Sequence, residues 1–423
     1  MKKVILNPRF FIPVLLALSI LYRAILVAAF PQPFVADQTQ YHDIALGILK
    51  NGIFANANRT YGYPMIVAFW YAVFGSGNVL AWTLIQVCMD ACIALFIYWT
   101  TKDVFGKKMP AIIAFVYYCV SPFVAAYAGM LLTEVSAVFF MALFFLLWHR
   151  FFQTKKVIYF LPAAFLMGYI PEIRPVFFYF MVALFAATLF LIRNMVIKRR
   201  EWILVIVFFL LPLSYAYVGN YLLFHRITPL VADDSGFATE LVGSQYLEGR
   251  APHPIDKPGG WPDRIGQLGW ELRFPYERQY RENLKKEHMK EAIDIIKKDP
   301  WHFFRVRLNK AWYIWEKHYL FIFSQEPPFI EFAAYALNTI LLVSAALGML
   351  FFGRQKRILH QKLFLWMSVA LIVYTSCVHM ISGGEERYSL PVYPILFIFS
   401  GYAFAVLGEW IWKKYLPLKR IKK

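Results

Sequence analysis

The sequence predicts an all-α polytopic membrane protein of about ten transmembrane helices, and three observations carry that reading. Of its 423 residues 60% are hydrophobic and 17% charged, against roughly 45–50% and about 25% in soluble domains. The apolar residues arrive in blocks of about 20, the length that crosses a bilayer core. The basic residues collect in alternate short loops. Aromatic residues, 19% of the chain, suit lipid-facing surfaces and interfacial belts. A cytosolic enzyme, a secreted disulfide scaffold and a disordered chain are excluded.

The elements follow in order. Lys2, Lys3 and Arg9 precede an apolar run over 10–30, too long for a signal-peptide core and read as an uncleaved first span. Residues 31–77 do not span. Their aromatic stretch 61–74, bounded by Gly and Pro, is short and is expected to lie in the membrane interface. Further spans are predicted at 78–101, 110–127, 130–148, 157–171, 174–192 and 202–220, then at 330–352, 362–381 and 389–412. Gly, Pro and charge mark the turns at 105–110, 153–156, 198–201 and 353–357. Between the seventh and eighth spans, residues 221–329 hold 15 of the 26 acids. There the Gly/Pro-rich stretch 251–260 reads as loop and 276–298 as a charged amphipathic helix stopped by Pro300. Residues 301–323, with Trp301, Trp312 and Trp315 among Arg and Lys, read as interfacial. The expected organisation is an N-terminal transmembrane module (1–220) with a catalytic first outer loop (31–77), an extracytoplasmic loop (221–329) and C-terminal transmembrane helices (330–423).

Orientation follows from the basic loops. Just over half of the 44 Lys and Arg lie on the side of the N-terminus, among them Lys102, Lys107, Lys108, Arg150, Lys155, Lys156, Arg199, Arg200, Arg354, Lys356 and Arg357. The opposite short loops carry Lys50, Arg59, Arg174 and Arg387. Both termini are therefore expected in the cytoplasm of a cell-membrane protein. The asymmetry explains most of the +18 net charge without a nucleic-acid partner. Cys88, Cys92, Cys119 and Cys377 sit in apolar blocks and read as small buried hydrophobes, not as metal or redox residues.

Seven acids fall on the outer side or its margin: Asp37, Asp43, Glu134, Glu172, Glu331, Glu385 and Glu386. Charges near bilayer depth are costly and tend to be functional. Asp37, just past the first span, has the chemistry of a general base; the alternative is a solvated acid or a helix N-cap. Tyr41, His42 and Asp43 are its neighbours, and His42 reads as an interfacial residue. Glu134 opens the fourth span, where it either binds sugar hydroxyls or a divalent ion, or simply answers the helix dipole. Arg174 and Arg387 are candidate phosphate clamps; the alternative pairs them with Glu172 and Glu386. Asp90, inside the second span, is expected to hydrogen-bond another helix. There is no internal repeat, GxGxxG or P-loop.

In order and placement these motifs resemble a known family. Asp37…Tyr41…Ala45-Leu46…Gly52…Arg59…Tyr63-Pro64 resembles the first outer loop of the GT-C membrane glycosyltransferases, in the group of the protein O-mannosyltransferases and lipid A aminoarabinose transferases. Thr133-Glu134, Arg174-Pro175, Ala292…Asp299-Pro300…Lys310…Trp312 and Glu386-Arg387-Tyr388…Pro391…Pro394 resemble later motifs of the same family. The resemblance implies a GT-C-like bundle with amphipathic interfacial helices in the first outer loop. It implies transfer of a sugar from a polyprenyl phosphate to an extracytoplasmic glycan, lipid or protein, with inversion. Asp37 is then the catalytic base. Tyr41, Asp43, Arg59, Tyr63, Glu134, Arg174, Glu386, Arg387 and Tyr388 are the expected substrate-binding residues, and a divalent cation is a possible cofactor. Two departures stand out. Many relatives carry Asp-Glu where this chain has Asp37-Gln38, and the chain is short, without the large C-terminal outer domain of some members. Acceptor recognition therefore falls to 221–329. The rival classes are a transporter or lipid flippase, which would show pseudo-symmetric halves with broken helices, and an O-antigen-type polymerase or ligase, which would rely on the arginines of the large loop.

Overall fold

In the computed structural model the described residues are 8–52, 56–193, 198–250, 277–324 and 326–415. Helices account for nearly all of their regular structure. They are α1 (Pro8–Ala29), α2 (Asp37–Asn51), α3 (Gly62–Phe74), α4 (Val79–Phe105), α5 (Lys108–Val120), α6 (Glu134–Thr154), α7 (Val157–Ile173), α8 (Phe178–Ile192) and α9 (Arg199–Phe224). The chain continues through α10 (Ser235–Tyr246), α11 (Arg278–Lys298), α12 (Pro300–Tyr313), α13 (Pro328–Gly353), α14 (Leu359–Ile381) and α15 (Tyr393–Tyr415). Among the described residues, nine helical segments are long and apolar enough to cross a membrane. This is a multi-pass membrane protein.

The fifth expected span, 157–171, is α7, whose 17 residues reach only about 26 Å, short of the roughly 30 Å core. It nevertheless returns the chain along the whole of α6. Arg174, at its far end, touches Glu134, the first residue of α6, so the two helices run antiparallel over the same length. The fourth span starts later than expected, at Glu134 instead of 130, because residues 121–133 form an irregular, buried turn. Such a turn is tolerated at membrane depth only when protein surrounds it.

Glycines let the helices meet. A Cβ on Gly168 of α7 would fall 2.1 Å from the Phe209 carbonyl of α9, and one on Gly348 of α13 would fall 2.0 Å from that of Phe399 in α15. Small residues at such crossings replace the hydrophobic drive that lipid does not supply. The core between them is aromatic, with Trp82, Trp148, Phe144, Phe145 and Phe151 fully buried. Two cysteines depart from expectation: Cys88 and Cys377 are exposed. An apolar block that crosses lipid presents an apolar outer face as well as an inner one, so hydropathy does not distinguish the two.

The first outer segment folds as α2 and α3, packed on each other. In α3, Tyr63, Val67, Ala68 and Tyr71 face inward, while Phe69, Val73 and Phe74 are exposed. The described part of 221–329 does not stand apart from the bundle. Ile314, Phe321 and Ile322 are buried in the main core, and Phe321 stacks on Phe30 at the end of α1 with ring centroids 4.5 Å apart. The charged helix expected at 276–298 appears as α11 from Arg278, and α12 starts at Pro300, capped by Asp299 through the His302 amide at 2.9 Å. The Gly/Pro-rich stretch 251–260 lies outside the described residues.

One buried ion pair crosses the bundle. Arg23 of α1 donates through Nε to Asp90 of α4 at 2.5 Å and through Nη1 to the Cys119 carbonyl at 3.0 Å and to Ser19; the Tyr118 hydroxyl donates to the other Asp90 oxygen at 2.5 Å. Asp90 thus bonds to two other helices, and its charge is answered inside the protein. Removing one partner of such a pair costs about 3–5 kcal/mol. Asp90→Ala is therefore expected to lower the thermal unfolding midpoint in detergent sharply, and Arg23→Leu added to it to recover much of the loss.

Candidate functional site

The site lies at one end of the bundle, where the segments after α1 and before α6, α8 and α15 converge. Asp37 is the first residue of α2, not its N-cap. The cap position is Ala36, held at φ 55° and ψ −125°, a strained conformation for a residue with a Cβ. The sharp turn sends the Asp37 carboxylate away from the α2 backbone and toward Arg59, whose Nη2 donates to it. The other Asp37 oxygen is 3.7 Å from Arg387 Nη2. The same guanidinium lies 3.3 Å from Glu134 and 2.6 Å from Glu385. Arg174 donates to Glu134 at 2.5 Å. Three carboxylates (Asp37, Glu134, Glu385) are thus threaded on three guanidinium groups (Arg59, Arg387, Arg174) from four parts of the chain.

The bland partners foreseen for these arginines are not used. Glu172 is fully buried and both its oxygens lack a hydrogen-bond partner, while Arg174 turns to Glu134 instead. Glu386 is also buried, and its carboxylate accepts from the His318 amide and ring, each at 2.7 Å. Arg387 is left free to reach Asp37, Glu134 and Glu385. Tyr388 donates to Glu385 at 3.1 Å, and its ring lies under Arg174, 5.2 Å from the guanidinium carbon. Tyr41 sits under Arg59 at 5.4 Å and packs edge-on against Tyr63, which accepts from Trp82 Nε1 at 3.0 Å. Burial, partly offset by Arg59, pushes the Tyr41 phenol above its usual range, so it remains a neutral hydroxyl. Asp43, on α2 but exposed, takes part in none of these contacts.

Supporting residues fix the loops, and several carried no recognisable signal in the sequence. Gln38, which replaces the second acid of the family pattern, is a tie: its amide donates to the Pro33 carbonyl at 2.7 Å and accepts from the Leu131 amide at 2.9 Å. It joins the first outer segment to the turn before α6. Lys317 is buried and donates to the carbonyls of Glu386 at 2.5 Å and Glu316 at 2.9 Å, and to Ser389 at 3.1 Å. Burial pulls its ammonium down to about 7 against the opposing pull of Glu386 and Glu316. Together, Lys317 and His318 hold the start of the 386–392 turn, and so the position of Arg387.

Only half of this end is closed to water: the Asp37 side chain is 28% exposed, Glu134 1%. Asp37 therefore faces the opening and Glu134 the protein. Among the described residues, no group of three or more His, Cys, Asp or Glu side chains comes together as a metal site.

The hydrogen bond to Glu386 raises the His318 imidazole above its ordinary 6.5. A raised value means that protonated His318 stabilises the fold fully below pH 6.5 and ceases to do so as pH climbs through the raised value. The unfolding midpoint is expected to fall over that interval, and His318→Gln to remove this part of the pH dependence.

The comparisons with known proteins agree with this architecture. Residues 58–217 match the family described as dolichyl-phosphate-mannose-protein mannosyltransferase. That stretch contains Arg59, Tyr63, Glu134 and Arg174. No curated protein sequence matches the chain. In three dimensions it is similar to the Archaeoglobus fulgidus oligosaccharyltransferase in the apo form, with a TM-score of 0.54 at 13% identity over 96% of this chain and 52% of the other. It is similar also to that enzyme tethered to an acceptor peptide containing the NVT sequon, with a TM-score of 0.55 at 14% identity over 97% of this chain and 51% of the other. The chain spans about half the length of these structures. At such identities the likeness is one of fold. The chain therefore shares its membrane-helical fold with the Archaeoglobus fulgidus oligosaccharyltransferase, and across residues 58–217 it matches the dolichyl-phosphate-mannose-protein mannosyltransferase family.

Proposed function

We propose that the protein is an integral-membrane glycosyltransferase that moves a sugar from a polyprenyl-phosphate donor to a hydroxyl of an extracytoplasmic acceptor, with inversion. The observation that carries this reading is the half-exposed carboxylate of Asp37, held between Arg59 and Arg387 at the end of the bundle that lacks the basic loops. Nucleotide sugars are not expected on that face, so the donor must be carried by lipid, and a site at the margin of the bundle is reached from both lipid and water.

In this reading the acceptor O–H gives its proton to Asp37 as its oxygen bonds to the anomeric carbon. The bond from that carbon to the phosphate oxygen breaks on the opposite side. The electron pair leaves with the polyprenyl phosphate, and fixed guanidinium groups meet the charge where it develops. A carboxylate offers about four acceptor positions, so the contacts to two arginines leave Asp37 room for the acceptor. Arg174 lies deeper, and with Arg387 and Arg59 it supplies the positive side of the site. Tyr41, Tyr388 and Glu134 orient donor and acceptor; Tyr63 holds Tyr41, and Glu386 holds the turn that carries Arg387. Asp43 belongs to the surface by which an acceptor approaches. Segment 221–329, whose helix α11 packs on α10 and α12, takes the role of acceptor recognition beside the transmembrane modules 1–220 and 330–423. The opposite end carries Lys107 with Glu409 at 3.3 Å and Arg150 with Asp103 at 2.8 Å; its basic loops support a cytoplasmic position for it and for both termini.

Asp37→Asn is expected to lower sugar transfer from radiolabelled polyprenyl-phosphate sugars by about 10²–10⁴-fold, the usual reach of general base catalysis, at normal protein level. Full activity in that variant would end the assignment. Arg174→Ala is expected to weaken use of the lipid donor by roughly 10–100-fold, the equivalent of losing a charged hydrogen bond; unchanged donor dependence would argue against it. For topology, single cysteines at Asn51→Cys and Lys356→Cys are expected to react with an impermeant maleimide from opposite faces of sealed vesicles.

A further inference from the structure

At the site end of the bundle, a membrane span ends against a charged helix. The last turns of α9 expose Tyr221, Leu222 and Leu223 to the surroundings. Past its end His225 takes a left-handed conformation at φ 52°, and the Asn220 amide donates to the carbonyls of Thr228 at 3.0 Å and Leu230 at 2.5 Å. The chain is thereby folded back onto the end of the span, which keeps Arg226 and Ile227 at its margin. Ile227, 82% exposed, continues the apolar outer surface of α9.

Helix α11 lies at this level, since Arg226 Nη2 donates to its Glu282 at 3.1 Å. The buried residues of α11 are Arg281, Leu284, His288 and Ala292, and His288 meets Thr239 of α10 at 2.9 Å. Lys286, Lys290, Ile293 and Lys297 recur at the same helical spacing on the opposite side and are exposed. A groove of about 710 Å³ runs here, bounded by Arg226, Lys286, Met289, Lys290, Ile293 and Lys297. From Glu282 to Lys297 it follows α11 for about 22 Å.

The charges of the groove do not cancel. Arg226, Lys285, Lys286, Lys290 and Lys297 face Asp234, Glu282 and Asp294. Glu282 is taken by Arg226 and by Arg278 at 3.0 Å, and Asp234 by Lys285 at 2.5 Å. Among the described residues, no ion pair engages Lys286, Lys290 or Lys297, and Asp294 alone is left to oppose them. Arg226 Nε is buried without a hydrogen bond. Met289 and Ile293 set apolar surface among these cations. A lysine at a bilayer margin lays its stem on such surface and keeps its ammonium in the head-group layer.

We infer that this groove seats the head group of an anionic phospholipid, with Arg226, Lys286, Lys290 and Lys297 about its phosphate and Ile227, Met289 and Ile293 against the start of its acyl chains. The site stands apart from the Asp37 network, with which its ion pairs share no residue. Its occupant fastens α11 to the bilayer. Basic residues at a membrane surface draw anionic lipid. An uncharged lipid leaves three ammonium groups unanswered, and a water-soluble anion leaves Ile227 and Ile293 in water.

The test uses the full chain in phosphatidylcholine nanodiscs doped with a photoactivatable lipid whose diazirine sits next to the glycerol ester. Crosslinks to the segments holding Arg226–Ile227 and Lys286–Lys297 are quantified by mass spectrometry. Photoactivatable phosphatidylglycerol is expected to label them about tenfold more than its phosphatidylcholine analogue, and less so in 1 M salt, where the Debye length shrinks to about 3 Å. Lys286→Gln, Lys290→Gln and Lys297→Gln combined are expected to erase the preference, and Arg at the same three positions to keep it. Ile293→Ser is expected to lower labelling by both lipids. Equal labelling of the wild type by the two lipids, or a preference that survives the triple Gln variant, overturns the assignment. Displacement of the phosphatidylglycerol label by glycerol phosphate overturns it in favour of a soluble anion, and displacement by polygalacturonate in favour of an acidic glycan. If the triple variant does not fold, Lys290→Gln alone replaces it, with an expected loss of about fivefold in the preference.

Discussion

Arg387 is the point through which the site end of the molecule is assembled. Its guanidinium, 9% exposed, meets Asp37 from the segment after α1, Glu134 from the start of α6 and Glu385 from its own turn. A charge of that kind at the margin of a bilayer is stable only where opposite charge surrounds it. Bringing three carboxylates to one cation therefore fixes where three separate parts of the chain must end. The surrounding contacts serve this point. Lys317 and His318 hold the turn that carries Arg387, and Gln38 fastens the Asp37 segment to the turn before Glu134.

The two ends of the bundle show different uses of charge. At the end opposite the site, ion pairs such as Lys107–Glu409 are half-exposed, with side chains 56% and 52% accessible, and contribute little. At the site end the charges are partly withdrawn from water, where field strength is greater. Cations exposed on the surface would be screened by salt and hydrated, whereas those held by a network stay aimed. The same reasoning gives meaning to the atoms the network does not satisfy. Arg174 Nε is buried without a hydrogen bond, as are both carboxylate oxygens of Glu172, whereas Arg23 and Asp90 are answered by each other and by their neighbours.

Helix α12 links the chemistry to the membrane. Its two faces differ: Val306, Arg307, Lys310 and Tyr313 are buried against protein, while Leu308 and Trp312 are exposed along an apolar groove between α12, α13 and α14. Pro300 and the Asp299 cap set where it begins, and the burial of 314–322 sets where it leads.

The sequence by itself determined the fold class, the spans to within a few residues and the unequal distribution of charge, because hydropathy acts residue by residue against a solvent of fixed thickness. It also marked Asp37, Glu134, Arg174 and Arg387 as notable, since charges near lipid are rare. Their partners were beyond its reach. Arg174 lies two residues from Glu172 and yet pairs with Glu134, 40 positions away; Glu386 adjoins Arg387 and yet binds His318. Proximity along the chain is a weak guide where a helix end or turn points neighbouring side chains in different directions. Gln38 read as a missing acid and proved to be a tie, and Glu172 gave no signal that both its oxygens would be buried without a partner, because the absence of a partner is a property of the packed molecule. Only the tertiary structure decides which charges remain unanswered, since that depends on every helix that packs around them.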